Sequence, residues 1–217
     1  MWWWGVRKLN VAFLGCGFLA SHLMPHVLPF TRRLILLDRD RVEPANYENC
    51  VLPKGYTGRR KVSALAALAQ ALASVEVVPV HLDVRRAEQL LELHARLEPE
   101  FCFVTFDNAR ARLVAKEYAL EAGVPTLFVG VTVGHAYVDW AEHVVLPEET
   151  GELERVEEEM RAIRDVCGRL EFRGLGLLAS ALAYRAFTTW LWTGRRLAYM
   201  ARLDEHDIDV ATIELGR

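Results

Sequence analysis

Residues 9–38 read LNVAFLGCGFLASHLMPHVLPFTRRLILLD, and this stretch decides the fold class. Residues 9–14 are an almost unbroken apolar run that stops at Gly15-Cys16-Gly17. A run without polar alternation fits a strand buried on both faces. Residues 19–30 then carry apolar side chains at helical spacing, and a second apolar run, 34–37, stops at Asp38. In Gly15-Cys16-Gly17-Phe18-Leu19-Ala20, glycines at the first and third places let the backbone turn tightly and approach a phosphate. The amides of the following helix N-terminus attract such an anion. Ala20 still allows the helix to lie close to the strand. Asp38 follows Gly15 by 23 residues, at the carboxyl end of the second strand, where an acid accepts hydrogen bonds from a ribose. Together these features point to nucleotide binding and leave open whether the ligand is ATP or a dinucleotide.

Outward from this unit the alternation continues. A polar loop rich in Pro, Asn and Gly spans 39–58, and the Ala/Leu-rich residues 59–73 read as a helix by propensity and period. Residues 75–80 read as a strand, 87–97 as a helix, 101–106 as a strand, 109–122 as a helix and 126–131 as a strand. Continuous apolar strands alternating with helices predict a parallel sheet covered on both faces. Past residue 131 the pattern changes. Residues 136–145 follow without an intervening helix, which predicts an antiparallel addition. Residues 175–192 read as a buried helix ending at Gly194, and short strands near 197–203 and 207–215 close the chain. The expectation is one α/β domain over residues 1–217, a Rossmann-like three-layer fold whose sheet is mostly parallel, with antiparallel strands added in the C-terminal part. Residues 148–159 hold seven glutamates against one arginine, and Arg161, Arg164, Arg169 and Arg173 follow. A solvated helix matching its own dipole accounts for that order; a mobile crossover segment over a site, residues 148–173, is the alternative.

Composition narrows the function classes. The chain has 217 residues, 52% of them hydrophobic, and 26 basic against 29 acidic residues, a net charge of −3. That balance argues against nucleic acid as the primary ligand, which normally requires a clustered basic excess. No run reaches the roughly 18 apolar residues of a membrane span, so no membrane partner is expected. The apolar start is interrupted by Arg7, Lys8, Gly15, Gly17, His22, Pro25 and His26 without a small-residue cleavage site, unlike a secretory signal. Cys16, Cys50, Cys102 and Cys167 form no Cys-x-x-Cys pair. No zinc site built from paired cysteines is therefore expected, and a reducing, cytoplasmic setting is.

Three further passages are decisive for function: LLDRDRVEPANYENC (36–50), GRRKVSALA (58–66) and TFDNARARLVAKEYALEAGVPTLFVGVTVGHAYVDW (105–140). From about residue 9 to residue 139 the chain resembles the ThiF/MoeB/HesA family, bacterial relatives of ubiquitin-activating (E1) enzymes. The likeness resumes at GLGLLASALAYRAFTTWLWTG (174–194) and at the terminal strands. The resemblance implies binding of ATP and magnesium, then attack of a carboxylate on the α-phosphate to give an acyl-adenylate and pyrophosphate. By matching position, Gly17 lies at the phosphates, Asp38 at the ribose, Asn46 near the triphosphate and Lys61 on a phosphate oxygen. Asp107 holds magnesium, with Asn108 beside it. The implied substrate is the C-terminal glycine of a small ubiquitin-like or sulfur-carrier protein, and the implied assembly is a homodimer or heterodimer. In structural terms alone, Lys61 is a helix-start cation and Asp107 a helix cap.

The chain also departs from the family. The family loop reads Asn-x-x-Arg-Gln, and here Asn49 stands where the arginine belongs. Neutral asparagine brings no charge to a phosphate, whereas arginine forks onto two of its oxygens. Arg59 or Arg60 could supply the missing charge. The family's zinc cysteines are absent from the sequence. Cys167 reads as a partly buried helix cysteine, with a transfer thiol as the alternative. Trp2-Trp3-Trp4 form an apolar surface suited to a subunit interface or to the domain's own core. Two other readings stand beside adenylation: a non-catalytic E1-like partner subunit or scaffold, and an NAD-dependent oxidoreductase.

Overall fold

The computed structural model describes residues 7–132, 134–146, 170–203 and 207–216. Trp2-Trp3-Trp4, the acidic stretch 148–159 and Cys167 lie outside the described residues, as does the expected crossover segment up to residue 169. In chain order the elements are β1 (Leu9–Leu14), α1 (Phe18–Val27), β2 (Thr31–Asp38), α2 (Asn46–Asn49), α3 (Lys61–Leu72), β3 (Glu76–His81), α4 (Ala87–Leu97), β4 (Phe101–Val104), α5 (Ala109–Ala122), β5 (Thr126–Thr132), β6 (His135–Trp140), α6 (Leu170–Thr193), β7 (Arg196–Leu203) and β8 (Ile208–Leu215). The first helix is shorter than its apolar pattern: it ends at Val27, and a 3-10 turn, Leu28–Phe30, carries Pro29 into β2. A proline has no amide for a continuing helical ladder.

All eight strands form one sheet in the order β3-β2-β1-β4-β5-β6-β7-β8. β1 to β5 pair in parallel, and β6, β7 and β8 add in antiparallel fashion. Every residue of β1 and β4 is buried, as the unbroken apolar runs require. β3 is the edge strand of the parallel half. There Pro79, lacking an amide to donate, is tolerated opposite Leu36.

Helices cover the sheet on two sides. On one side α1, α3 and α6 bury Leu23, Met24, Leu65, Ala179 and Ala183 against Phe13, Phe101, Phe103 and Trp140 of the strands. Phe187 of α6 stacks edge-on against Phe101, ring centroids 4.9 Å apart, and Trp140 Nε1 donates to the Leu197 carbonyl at 3.1 Å. On the other side α4, α5 and residues 141–146 pack Leu90, Val114, Tyr118 and Val144 over Ala12, Ile35 and Phe128. The result is the three-layer α/β fold expected from the sequence, with mixed strand directions.

α1 and α6 run side by side in the same direction. Gly176 meets the Phe18 ring so closely that a Cβ would collide with it. Farther along, Ser180 Oγ donates to the Leu19 carbonyl at 3.4 Å, and Tyr184 lies 5.9 Å from His26 between ring centroids. Among the described residues no helix is long and apolar enough to cross a membrane. Among the described residues Cys16, Cys50 and Cys102 form no disulfide.

Candidate functional site

Between β1 and β4 the strand order reverses, so the loops leaving their carboxyl ends turn to opposite faces and leave a crevice. A cleft of about 1000 Å³ opens at this place. Gly15, Gly17, Asp38, Asn46, Asn49, Lys61, Asp107 and Asn108 all line it. Residues scattered over 94 positions of sequence thus converge on one cavity.

The glycine loop forms the floor. Gly15 has φ +108°, and a Cβ there would come within 2.7 Å of the Thr105 carbonyl carbon. Backbone conformation and close approach to the chain just past β4 therefore both exclude a side chain. The Gly15 amide donates to the Leu37 carbonyl at 2.8 Å, and Thr105 Oγ1 donates to the Gly15 carbonyl at 2.9 Å. Gly17 begins α1 with no side-chain cap, and a Cβ on it would meet nothing within 4 Å. The uncapped first turn, with Gly17, Phe18 and Leu19 on the cleft wall, is thus left open to an anion.

Asp38 ends β2, and its two carboxylate oxygens accept from the amides of Cys16 at 2.6 Å and Asp40 at 2.7 Å. Burial raises its pKa; the Asp40 amide, Lys61 and the Cys16 amide only partly offset that effect. Lys61 opens α3, and its Nζ donates to Asp40 Oδ2 at 2.9 Å. A backbone bond from the Lys61 amide to the Asp40 carbonyl, 2.9 Å, fixes the helix start beside the strand end. Burial works against the lysine's charge, but Asp38, Asp40 and Asp107 outweigh it, and its pKa is raised. The ammonium is held charged within reach of three carboxylates.

After β4, Asn108 caps α5: its Oδ1 accepts from the Ala111 amide at 2.9 Å. Capping is therefore the work of Asn108 and does not explain Asp107, which stands exposed at the cleft. In α2, Asn46 Oδ1 accepts from the Glu43 amide at 2.9 Å and shapes the loop. His22 Nε2 donates to the Asn49 carbonyl at 3.0 Å, and the Val51 amide donates to Ser21 Oγ at 3.0 Å. These bonds dock the α2 loop onto α1.

Arg59 and Arg60 do not line the cleft, contrary to the expectation that one of them replaces the missing arginine. Arg59 lies over the Tyr56 ring, 5.3 Å from its centroid, and Arg60 is an exposed residue at the start of α3, bridged to Arg41. Four other arginines line the cleft instead: Arg39, Arg41, Arg112 and Arg173. Arg39 Nη1 donates to Asp83 at 3.0 Å, and Arg41 Nη1 to the Gly58 carbonyl at 2.8 Å. Arg112 is only 6% exposed. Its Nη1 holds the carbonyls of Phe106 at 2.8 Å and Val129 at 3.2 Å, and its guanidinium lies over the rings of Phe128 and Tyr137. It therefore pins the strand-end backbone just before Asp107. Its spacing, four residues past the cap Asn108 on α5, is the signal that could have found it.

The donor set fits a magnesium nucleotide. Open helix amides and an ammonium suit phosphates, and a buried strand-end carboxylate suits a ribose. Among the described residues no group of three or more His, Cys, Asp or Glu forms a cage for a metal ion. Magnesium bound through one carboxylate and the nucleotide's own phosphates requires no such cage.

Comparison with solved structures finds the same fold. E. coli MccB with ATP matches at 18% identity and TM-score 0.72, over 98% of this chain and 65% of that one. E. coli MccB with AMPCPP and MccA matches at 17% and 0.70, over 96% and 65%. PaaA matches at 15% and 0.69, over 97% and 65%. The chain thus spans about 65% of the length of these structures. No curated protein matches it. In sequence it matches the ThiF family over residues 5–185, most of its length, and the chain belongs to that family.

Proposed function

We propose that this chain is an E1-like adenylyltransferase that binds ATP with magnesium and activates a carboxylate. The observation that carries the reading is the meeting of Gly15, Gly17, Asp38, Lys61 and Asp107 in one cleft at the crevice between β1 and β4. Family membership and the likeness of fold to MccB, solved with ATP, support it.

In this reading the carboxylate oxygen of the substrate attacks the α-phosphorus, and the bond to the bridging oxygen of pyrophosphate breaks. The products are the acyl-adenylate and pyrophosphate. When bound through Asp107, magnesium neutralises phosphate charge and orients the leaving group. The chain's own residues act mainly by position and charge. The amides at the start of α1 hold phosphate oxygens. Asp38, fixed by two amides, accepts from the ribose. Lys61 sets its ammonium on a phosphate oxygen, while Asn46 and Asn108 shape the loops on either side.

The carboxylate is assigned to the C-terminal glycine of a small ubiquitin-like or sulfur-carrier protein, with two copies of the chain, or this chain and a related one, forming the working unit. MccB, described as a microcin C7 biosynthetic enzyme, has been solved in complex with N-formylated MccA, which keeps other carboxylates in the test. Neutral Asn49 favours a second reading, a partner subunit that retains the fold without catalysis. Magnesium-dependent ATP–pyrophosphate exchange separates the two, run with carrier proteins ending in Gly-Gly and with short peptides. Adenylation predicts exchange with at least one of them, reduced about 100-fold or more by Asp107→Ala and by Lys61→Ala. Absence of exchange with every carboxylate, in a chain that still binds ATP, would establish the non-catalytic reading.

A further inference from the structure

We infer that Arg173, in the first turns of α6, is a phosphate ligand of the nucleotide site and supplies the charge that Asn49 lacks. The inference rests on the nucleotide reading above and adds to it a residue that the loop motifs do not contain. α6 runs parallel to α1, with Gly176 against Phe18 and Ser180 bonded to the Leu19 carbonyl. Arg173 lies three residues before Gly176, about 4.5 Å back along the helix axis. It therefore stands just beyond the open N-terminus of α1, on the cleft side, and it lines the cleft together with Gly17, Asn49 and Lys61.

The other cations there are already engaged. Lys61 is bonded to Asp40 and faces Asp38 and Asp107 as well. Arg39 is bonded to Asp83, Arg41 to the Gly58 carbonyl, and Arg112 to two carbonyls. The Nε of Arg173 is buried and has no hydrogen-bond partner. Nε and Nη2 of Arg112 share that state, but Arg112 is already held by two carbonyls and lies over two rings, whereas Arg173 has no such hold among the described residues. A buried donor left unmatched is uncommon in folded proteins. An anion entering the cleft satisfies it, and a guanidinium fork matches phosphate oxygens in pairs. A polyphosphate placed among Asp38, Asp40 and Asp107 also needs more positive charge than one lysine provides.

Titration calorimetry of the full chain with ATP, AMP and adenosine in magnesium buffer tests this. Arg173→Ala is expected to weaken ATP ten- to a hundredfold and to leave adenosine unchanged, so the ratio of the two affinities narrows. Arg173→Lys is expected to recover part of the loss, and adding Asn49→Arg to Arg173→Ala to recover more. Arg173→Gln, close in length and polarity, guards against a folding defect: it should weaken ATP with an unchanged melting temperature. ATP affinity unchanged in both the Ala and Gln variants overturns the inference, as does an equal loss for adenosine. If the wild-type chain binds adenosine, AMP and ATP alike not at all, the nucleotide reading itself falls, and this inference with it.

Discussion

The two halves of the sheet are built on different terms. From β3 to β5 the strands are parallel, and helices cover both faces; β1 and β4 have no exposed residue. From β6 to β8 the strands are antiparallel, and along the outer strand Ile208, Val210 and Ile213 are 43%, 44% and 56% exposed. The parallel half supplies the proposed ligands from strand ends: Gly15 and Gly17 after β1, Asp38 at the end of β2, Asp107 and Asn108 after β4. The antiparallel half supplies wall, with Tyr137, Asp139, Met200 and Ile213 lining the cleft. Crossover connections turn loops toward opposite faces and open a crevice; antiparallel neighbours joined directly do not. The parallel half thus holds the fully buried strands and the proposed ligands, and the antiparallel half carries the exposed outer strand.

The largest expected contrast is in stability. Gly15→Ala forces a side chain onto a backbone at φ +108° and against the Thr105 carbonyl. It should destabilise by about 3 kcal/mol or more, a fall of roughly 6–12 °C in melting temperature for a chain of this size. Ile213→Ser on β8 should change stability by no more than about 0.5 kcal/mol. Equal shifts in the two variants would break the comparison.

Stability against pH sharpens it by sign. Burial gives Asp38 a higher pKa in the fold than in the unfolded chain, where Asp titrates near 4. Its contribution is complete below about pH 4 and is lost as pH rises through the raised value. Glu214 of β8 is the opposite case: its bond to Arg195, with Nε at 2.7 Å, lowers its pKa. That contribution is present above about pH 4.5, the ordinary glutamate value, and is lost as pH falls through the lowered one. Melting curves from pH 3 to 7 should therefore show Asp38→Asn gaining on the wild type as pH rises. Glu214→Gln should lose slightly over the same range, since an exposed pair contributes little.

A smaller effect is expected in thiol labelling. Burial pushes the Cys102 thiol up to about 12 and raises Cys16 as well. Cys50 is half-buried on the cleft wall. Among these three, Cys50 should react first with iodoacetamide at pH 8, and ATP should slow it severalfold. Peptide mapping of the labelled chain checks both, and prior labelling of Cys102 would contradict the packing described.

Much of the parallel half was legible in sequence because local rules govern it. Apolar runs ended by Gly15 and Asp38 mark strand ends, and Lys61 and Asp107 stand at element boundaries that periodicity locates. The antiparallel addition after residue 131 was also readable, from the missing helix. What escaped were residues whose place depends on packing between distant elements. Arg173 reaches the cleft only because Gly176 lets α6 close on Phe18. Arg59 and Arg60 lie next to Lys61 in sequence, yet Lys61 lines the cleft while Arg59 lies over the Tyr56 ring and Arg60 is exposed outside it. Beyond its spacing from Asn108, Arg112 carries no local signal of its place, because its ring and carbonyl partners come from the turn after β4, from β5 and from β6.

Amide hydrogen–deuterium exchange of the full chain, with and without ATP and magnesium, tests the central claim most directly. The account predicts slower exchange in residues 15–20, 38–41 and 105–109, with 208–215 unchanged. Protection confined to 208–215, or none anywhere at saturating ATP, would contradict it.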